Sequence, residues 1–338
     1  MPSTGTTVAQ LGERGLLTRV LANIPASRDA ELGAGDDAAV LHAPDGRVVI
    51  TVDTMNEGPD FRRDWSSGED LGRKAIASNL ADIAAMGARP TGLVIALALP
   101  GSLPDAWVED FARGLSCALD ECAPGVGIVG GDLATAERIQ ISVTAFGDLE
   151  RRAPVVRSGA RSGDVIALAG DAGRSAAGLA LLAAYANDEP LEQLRESCGP
   201  GGTALLAAQL RPVAPIAAGP AAARASASAM MDVSDGLLLD AHRMAEASNV
   251  TMRFERALLE PFAERLAREL SESPGLPDDP LELVLRGGED HALLATFPVD
   301  VVLPEAFTRI GEVLPPEPSR LLLDDEGREP IGWDPFSN

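Results

Sequence analysis

The sequence predicts two domains, an α+β layer fold followed by a mixed α/β fold. Three observations carry this. At 338 residues with 46% apolar side chains, the chain exceeds one typical domain and can bury two cores. Strand-like runs in the first 150 residues are interleaved with long helical patterns. A polar, glycine-rich link, "ERRAPVVRSGARSGD", then separates them from a second alternating set, which places the domains at residues 1–150 and 151–338.

The elements follow in order. Residues 8–23, "VAQLGERGLLTRVLAN", have helical apolar spacing. "AAVLH" and "RVVITVD" read as strands, and "APDGR" between them carries the Pro-Asp-Gly of a hairpin turn. "SGEDLGRKAIASNLADIAAMG" starts with a Ser-x-x-Asp cap at Ser67 and stops at Gly87, predicting a helix over about 68–86. "TGLVIALALP" is a buried strand, and "PDAWVEDFARGLSCALDEC" is a helix with Pro104 near its start. "GVGIVGGD" and "RIQISVTAFGDL" complete the first domain as strands. In the second, "VIALAG" is a strand and "GRSAAGLALLAAYA" a helix. The stretch 186–202 reads as a surface connection. "MMDVSDGLLLD" is a short strand turning into a helix, and "HALLATF" and "FTRIGEV" are late strands.

Charge narrows the function. A net charge of −23, from 51 acidic and 28 basic residues, repels a nucleic-acid backbone, so nucleic acid is excluded as a partner. An acidic chain that handles phosphates needs metal ions to mediate. No apolar run reaches membrane-spanning length and the N-terminus lacks a signal-peptide pattern, so the expected compartment is the cytoplasm. Cys117, Cys122 and Cys198 have no CxxC spacing and are expected to be reduced. Lys74 is the only lysine among the 28 basic residues; it either occupies a place where a guanidinium would not fit or sits by chance on a helix surface.

Aspartates punctuate the ends of apolar runs. "GAGDDAAVLH" sets Asp36 beside Asp37 after a Gly-Ala-Gly turn, which reads as a solvated turn or as a cation site. Asp53 ends "RVVITV" and Asp132 follows "VGIVGG", each at the carboxyl end of a strand where sites are commonly built. A turn or helix cap is the competing reading for each alone. On the helix, Lys74, Ser78 and Asp82 follow at i, i+4 and i+8 with Asn79 beside Asp82. That face is either solvated, with an Asp70–Lys74 pair, or turned into a site. Were Asp36, Asp37, Asp53, Asp82 and Asp132 to converge, their repulsion would require Mg²⁺, whose preferred ligands are hard oxygens. In "GIVGGD" small residues open the backbone to phosphate, yet neither a Walker A motif nor a kinase glycine loop occurs. Ser234 or Asp235 is a helix N-cap in one reading; in the other, Asp232 and Asp235 hold metal and Ser234 a nucleotide. Glu289 and Asp290 in "LRGGEDHALLATF" form a hairpin-like turn or an acidic substrate loop. The three histidines have no ligand spacing and receive no role. Arg157 is a surface arginine or a bidentate phosphate donor.

Seven blocks in order, "GAGDDAAV", "TVDTMNEGPDF", "DLGRKAIASNLADIAAMGARP", "IVGGDLAT", "VVRSGA", "MMDVSDGLLLD" and "RGGEDHAL", resemble the thiamine-monophosphate kinase family, from about residue 12 to the C-terminal "GWDPF". The resemblance implies the two-domain fold of the aminoimidazole ribonucleotide synthetase superfamily, and a homodimer whose N-terminal sheets pair into a barrel with ATP near the interface. It also implies direct transfer of the ATP γ-phosphate to thiamine monophosphate with several Mg²⁺ ions. By the same resemblance Asp36, Asp53, Asp82, Asp132, Asp232 and Asp235 bind Mg²⁺, with Thr51 and Val52 contributing through the backbone. Gly131, Asp132, Arg157 and Ser234 meet ATP, and Asp60, Glu289 and Trp333 meet the acceptor. Trp333 reads alternatively as a C-terminal anchor packed on the core. Asp60 stands where the family pattern has histidine, with Arg62 and Arg63 nearby as compensating cations. The alternatives are another acceptor in the same superfamily, or a nucleotide-binding relative without catalysis. The acceptor's phosphate oxygen is already a nucleophile, so no general base is expected.

Overall fold

A computed structural model describes residues 6–34, 38–185, 191–271 and 279–333. The chain divides into one unit of residues 1–83 and 89–151 and another of residues 84–88 and 152–338.

In the first unit the elements run α1 (Val8–Leu21), β1 (Ala30–Leu32), β2 (Val40–Leu41), β3 (Val49–Asn56), α2 (Gly68–Ala85), β4 (Arg89–Leu99), α3 (Asp105–Cys122), β5 (Ile128–Thr135) and β6 (Gln140–Asp148). Thr7 and Gln10 close a reciprocal capping box on α1, and Gly12, at φ 69°, breaks its first turn. The α2 cap forms as its sequence predicts: Ser67 Oγ accepts from Asp70 N, and the Asp70 carboxylate accepts from Ser67 N. The main sheet has the order β3-β6-β4-β5. The expected hairpin across "APDGR" is absent, because β2 pairs instead with β1 while β3 pairs antiparallel with β6. A strand of two residues is too short to compete with the eight-residue ladder that β3 makes with β6.

Ile76, Leu80 and Ile83 on α2 are fully buried. The polar face of the same helix is largely covered: Lys74 is 5% exposed and Asn79 2%, with Ser78 and Asp82 half-buried, so the solvated-face reading does not hold. Two helices come into backbone contact through glycine. A Cβ on Gly72 of α2 would lie 2.7 Å from Leu115 N, and one on Gly114 of α3 would lie 2.9 Å from the Glu69 carbonyl carbon.

The second unit runs β7 (Val165–Ala169), α4 (Arg174–Tyr185), α5 (Leu191–Ser197), α6 (Gly199–Leu210), α7 (Ala218–Arg224), β8 (Ala229–Val233), α8 (Leu237–Ser248), β9 (Thr251–Phe254), α9 (Arg256–Leu270), α10 (Pro280–Arg286), β10 (Ala292–Phe297), β11 (Phe307–Leu314), β12 (Leu321–Leu323) and β13 (Glu326–Gly327). Its sheet has the order β13-β12-β9-β11-β7-β10-β8 and is antiparallel except for the β12–β9 pair. Every residue of β7 and β10 is buried, which accounts for their apolar sequence, broken only by Thr296, whose hydroxyl accepts from Ala229 N. The stretch expected to be a surface connection is helical from Leu191 onward, with Pro200 in the first turn of α6. Proline at that position costs nothing because the first-turn amides have no intrahelical acceptor. The remainder of that stretch lies outside the described residues.

Candidate functional site

In the first unit the acidic residues divide between the two faces of the sheet. Asp53 pairs with Val143, which is in register with Ile95 and Gly131 in turn. Thr54, Ser142, Ala96 and Asp132 form the adjacent row. Side chains of neighbouring rows point to opposite faces, so Asp53 and Asp132 do too. Three strand spacings, roughly 14 Å, also separate them laterally. On the first face α2 and β3 are joined by polar contacts. Thr51 Oγ1 donates to Asp82 Oδ2 at 2.6 Å, and Asn79 Oδ1 accepts from Asp53 N at 3.2 Å. Asp82 and Thr51 therefore meet, and Asn79 holds the backbone of Asp53. On the second face the Thr54 and Ser142 hydroxyls bond at 2.8 Å, beside the exposed side chains of Ile50 and Val52. Among the described residues no three carboxylate, imidazole or thiol groups close around one point. Asp36 and Asp37 lie outside the described residues.

Gly131 is required by strand packing: a Cβ there would meet the Ile95 carbonyl oxygen of β4. Beside it, an apolar cavity of about 520 Å³ is bordered by Gly130, Gly131 and Asp132, with Val20 and Ile24 across from them. At the end of β3 the Asp60 carboxylate turns back on the chain, accepting from Asn56 N at 2.7 Å and from its Nδ2 at 3.3 Å. Arg62 is engaged by Asp64 and Arg63 by Glu57, each at 2.5 Å, so the expected compensation is directed elsewhere. Burial alone would raise the Glu57 carboxyl, but hydrogen bonds from Ile139 N and Arg63 hold it below its ordinary value.

The second unit gathers Asp232, Ser234, Asp235, Glu289 and Trp333 into one loop cluster. β8 delivers Asp232 at its end, and Gly236, at φ 118°, turns the chain into α8. Neither Ser234 nor Asp235 caps that helix; the N-cap is Gly236. Asp240, one turn inside α8, reaches back to accept from Asp235 N at 2.9 Å. Arg243 then spans both acids, 2.6 Å from Asp235 Oδ2 and 2.7 Å from Asp240 Oδ1. Burial, reinforced by the neighbouring charges of Asp232 and Asp235, pushes the Asp240 carboxyl up to about 6 despite Arg243. Asp240 and Arg243 were not singled out in the sequence, although their i, i+3 spacing inside the "DGLLLDAHR" helix is a legible pairing signal.

Glu289 N donates to Ser234 O at 2.7 Å, and Trp333 N to Asp235 O at 2.8 Å, tying three separated segments together. The Trp333 side chain is 55% exposed, so it is not an anchor packed on the core. The Glu289 segment joins α10 to β10 and is no hairpin. His291, given no role by its spacing, is buried with Nδ1 lacking a hydrogen-bond partner, 3.9 Å from Asp232 Oδ2. Arg157 lies in a short 3-10 turn, its side chain exposed and its carbonyl accepting from Ser248 Oγ.

Residues 35–149 match the model of the AIR synthase related protein N-terminal domain, and residues 161–297 that of the AIR synthase related protein C-terminal domain. A thiamine-monophosphate kinase of Mycobacterium tuberculosis is 42% identical over 333 residues, covering 98% of this chain and 93% of that protein. One of Corynebacterium glutamicum is 37% identical over 337 residues, covering 98% and 96%. Among solved structures, one described as AaThiL complexed with AMPPCP and TMP superposes with a TM-score of 0.75 at 33% identity, covering 98% of this chain and 99% of that one.

Proposed function

The chain belongs to the AIR synthase related proteins and, within them, to the thiamine-monophosphate kinase family, and from that premise we infer its reaction. It phosphorylates thiamine monophosphate to thiamine diphosphate at the expense of ATP. The observation that carries this is identity of 42% with a curated kinase across almost the whole of both chains.

The finer reading is ours. The first domain, 1–150, is assigned ATP and metal binding and dimerisation, and the second, 151–338, the remaining contacts. The donors fit magnesium: the Asp82 carboxylate and the Thr51 hydroxyl are hard oxygens in contact between α2 and β3, Asp53 lies two residues on along the same face of β3, and Asp232 stands near the end of β8 with Asp235 just beyond it. Asp36 and the backbone of Thr51 and Val52 complete the proposed set, while Asp132, on the opposite face of the sheet from Asp53, is assigned to a separate metal position. Magnesium supplies charge screening and alignment of the phosphates when bound.

The chain's own residues then account for the rest. Arg157, exposed, and Ser234, at the β8–α8 turn, are assigned to ATP together with Gly131 and Asp132. Glu289 presents a carboxylate suited to the cationic thiazolium, and the half-exposed Trp333 ring offers a face for it to stack on. Asp60 holds the turn after β3 through Asn56, which supports its assignment to the rim of the acceptor site as a shaping residue. In-line transfer needs no general base, in keeping with a site of aspartates. The row of Ile50 and Val52 on the open face of β3 supports a homodimer formed through this sheet. The absence, among the described residues, of a helix long and apolar enough to cross a membrane is compatible with the proposed cytoplasmic location.

The test is incubation with ATP, Mg²⁺ and thiamine monophosphate, followed by chromatography of the products, with EDTA and no-acceptor controls. Thiamine diphosphate matched by ADP, and abolished by EDTA, is expected. ADP formed without thiamine diphosphate would overturn the acceptor assignment.

A further inference from the structure

Glu289 is presented by a strained segment that three separate elements hold in place. It stands at φ 64° and His291 at φ 51°, so two non-glycine residues occupy the left-handed region on either side of Asp290. Asp290, buried, is gripped by the start of α4: its Oδ2 accepts from Gly173 N at 2.6 Å and its Oδ1 from Ser175 N at 2.9 Å. The Glu289 amide is tied to Ser234 O. The Glu289 side chain is met by α6, where Gln209 Nε2 donates to Glu289 Oε2 at 2.6 Å. Gln209 is itself fixed, since its Oε1 accepts from Ser175 Oγ, and Ser175 is fully buried. One side chain thus connects the serine that grips Asp290 with the carboxylate of Glu289.

We propose that Gln209 is a positioning residue for the acceptor, acting through Glu289; the proposal rests on the reading of Glu289 as an acceptor contact. The chemistry of the donor matters. An amide orients a carboxylate without cancelling its charge, whereas arginine or lysine at the same place would neutralise it. The amide from Gln209 fixes the orientation of the Glu289 carboxylate and removes the rotational freedom it would have on an exposed loop. A strained backbone of this kind persists only where the surroundings over-determine it, and here they fix the orientation of one carboxylate.

The experiment is a kinetic double-mutant cycle between Gln209→Leu and Glu289→Gln, with KM measured separately for thiamine monophosphate and for ATP. Loss of a hydrogen bond to a charged group predicts that Gln209→Leu raises KM for thiamine monophosphate about tenfold, leaving KM for ATP within about twofold. In the Glu289→Gln background the same change should add less than about twofold. Gln209→Met, which fills the space flexibly and donates no hydrogen bond, should reproduce the split and covers the case in which the leucine variant does not fold. If Glu289→Gln raises the acceptor KM while both Gln209 variants leave it unchanged, the inference is overturned and the reading of Glu289 stands. The inference also fails if the Gln209 variants raise both KM values, or act undiminished without Glu289. If Glu289→Gln leaves the acceptor KM unchanged, the reading of Glu289 falls and the inference with it.

Discussion

Replacing Gly114 by alanine should weaken the first unit and its chemistry together. A Cβ at that position would lie 2.9 Å from the Glu69 carbonyl carbon, with the carbonyl oxygen nearer still. Carbon atoms settle at about 3.5–4.0 Å, so α2 and α3 must part by roughly 1 Å. Neither obstacle is a flexible side chain, and overpacking against rigid neighbours costs about 1–3 kcal/mol. Alanine in mid-helix returns about 0.5–1 kcal/mol of helix propensity. The clash wins, leaving a net loss of about 1 kcal/mol, or roughly 2–4 °C in the melting midpoint. Because α2 carries Asn79 and Asp82 to β3, phosphotransfer at saturating substrates should fall as well. Calorimetry with the product assay reads both quantities. A variant as stable as the parent, or stabilised by its added propensity, would refute the backbone contact.

Three other expectations follow from the same structure. Burial pushes the Asp290 carboxyl up to about 7 from an ordinary 3.8, so the folded chain holds this proton more tightly than the unfolded one. The corresponding stability is complete below about pH 4 and is lost as pH rises through about 7; urea midpoints at pH 5 and pH 8 should differ less in Asp290→Asn than in the parent. Val52→Glu sets a charge on the exposed face of β3 and should yield monomers in analytical ultracentrifugation with unchanged circular dichroism; an unaltered dimer would remove that face from the interface. Arg243→Met leaves fully buried Asp240 without its cation, which predicts a loss of about 2 kcal/mol at pH 8 that shrinks at pH 5, where Asp240 is protonated; equal losses at both would contradict the pairing.

Local chemistry made much of the fold legible. Ser67 and Asp70 announce a cap that forms, and the apolar run in "RVVITVD" announces a strand that forms as β3. What failed depended on partners distant in the chain. Nothing in "APDGR" tells β2 that Ala30–Leu32 offers a better edge, and a helical wheel assigns Lys74 a side without saying whether that side is covered. The helices from Leu191 to Leu210 were hidden by glycine and proline near α6, which tertiary packing overrides. At the site, each aspartate closing an apolar run is legible in the sequence, but Asp53 and Asp132 lie inside β3 and β5 rather than past their ends, because both ladders continue beyond them. Asp53 and Asp132 look equivalent in that respect, and only the ladder register reveals that they face opposite ways. Gln209 belongs to no motif, and its contact with Glu289 spans 80 residues.

The burial of Lys74 has a practical consequence. A protease that cleaves after lysine finds a single bond in the whole sequence, and that bond lies within α2, where the side chain it must grasp is 5% exposed. Cutting requires that helix to open, so the rate of appearance of one pair of fragments, 1–74 and 75–338, becomes a clock for the local opening of the element that carries Asp82. Ligands that close around α2 would slow the clock by their binding free energy, which gives a label-free titration of nucleotide and metal on the intact chain.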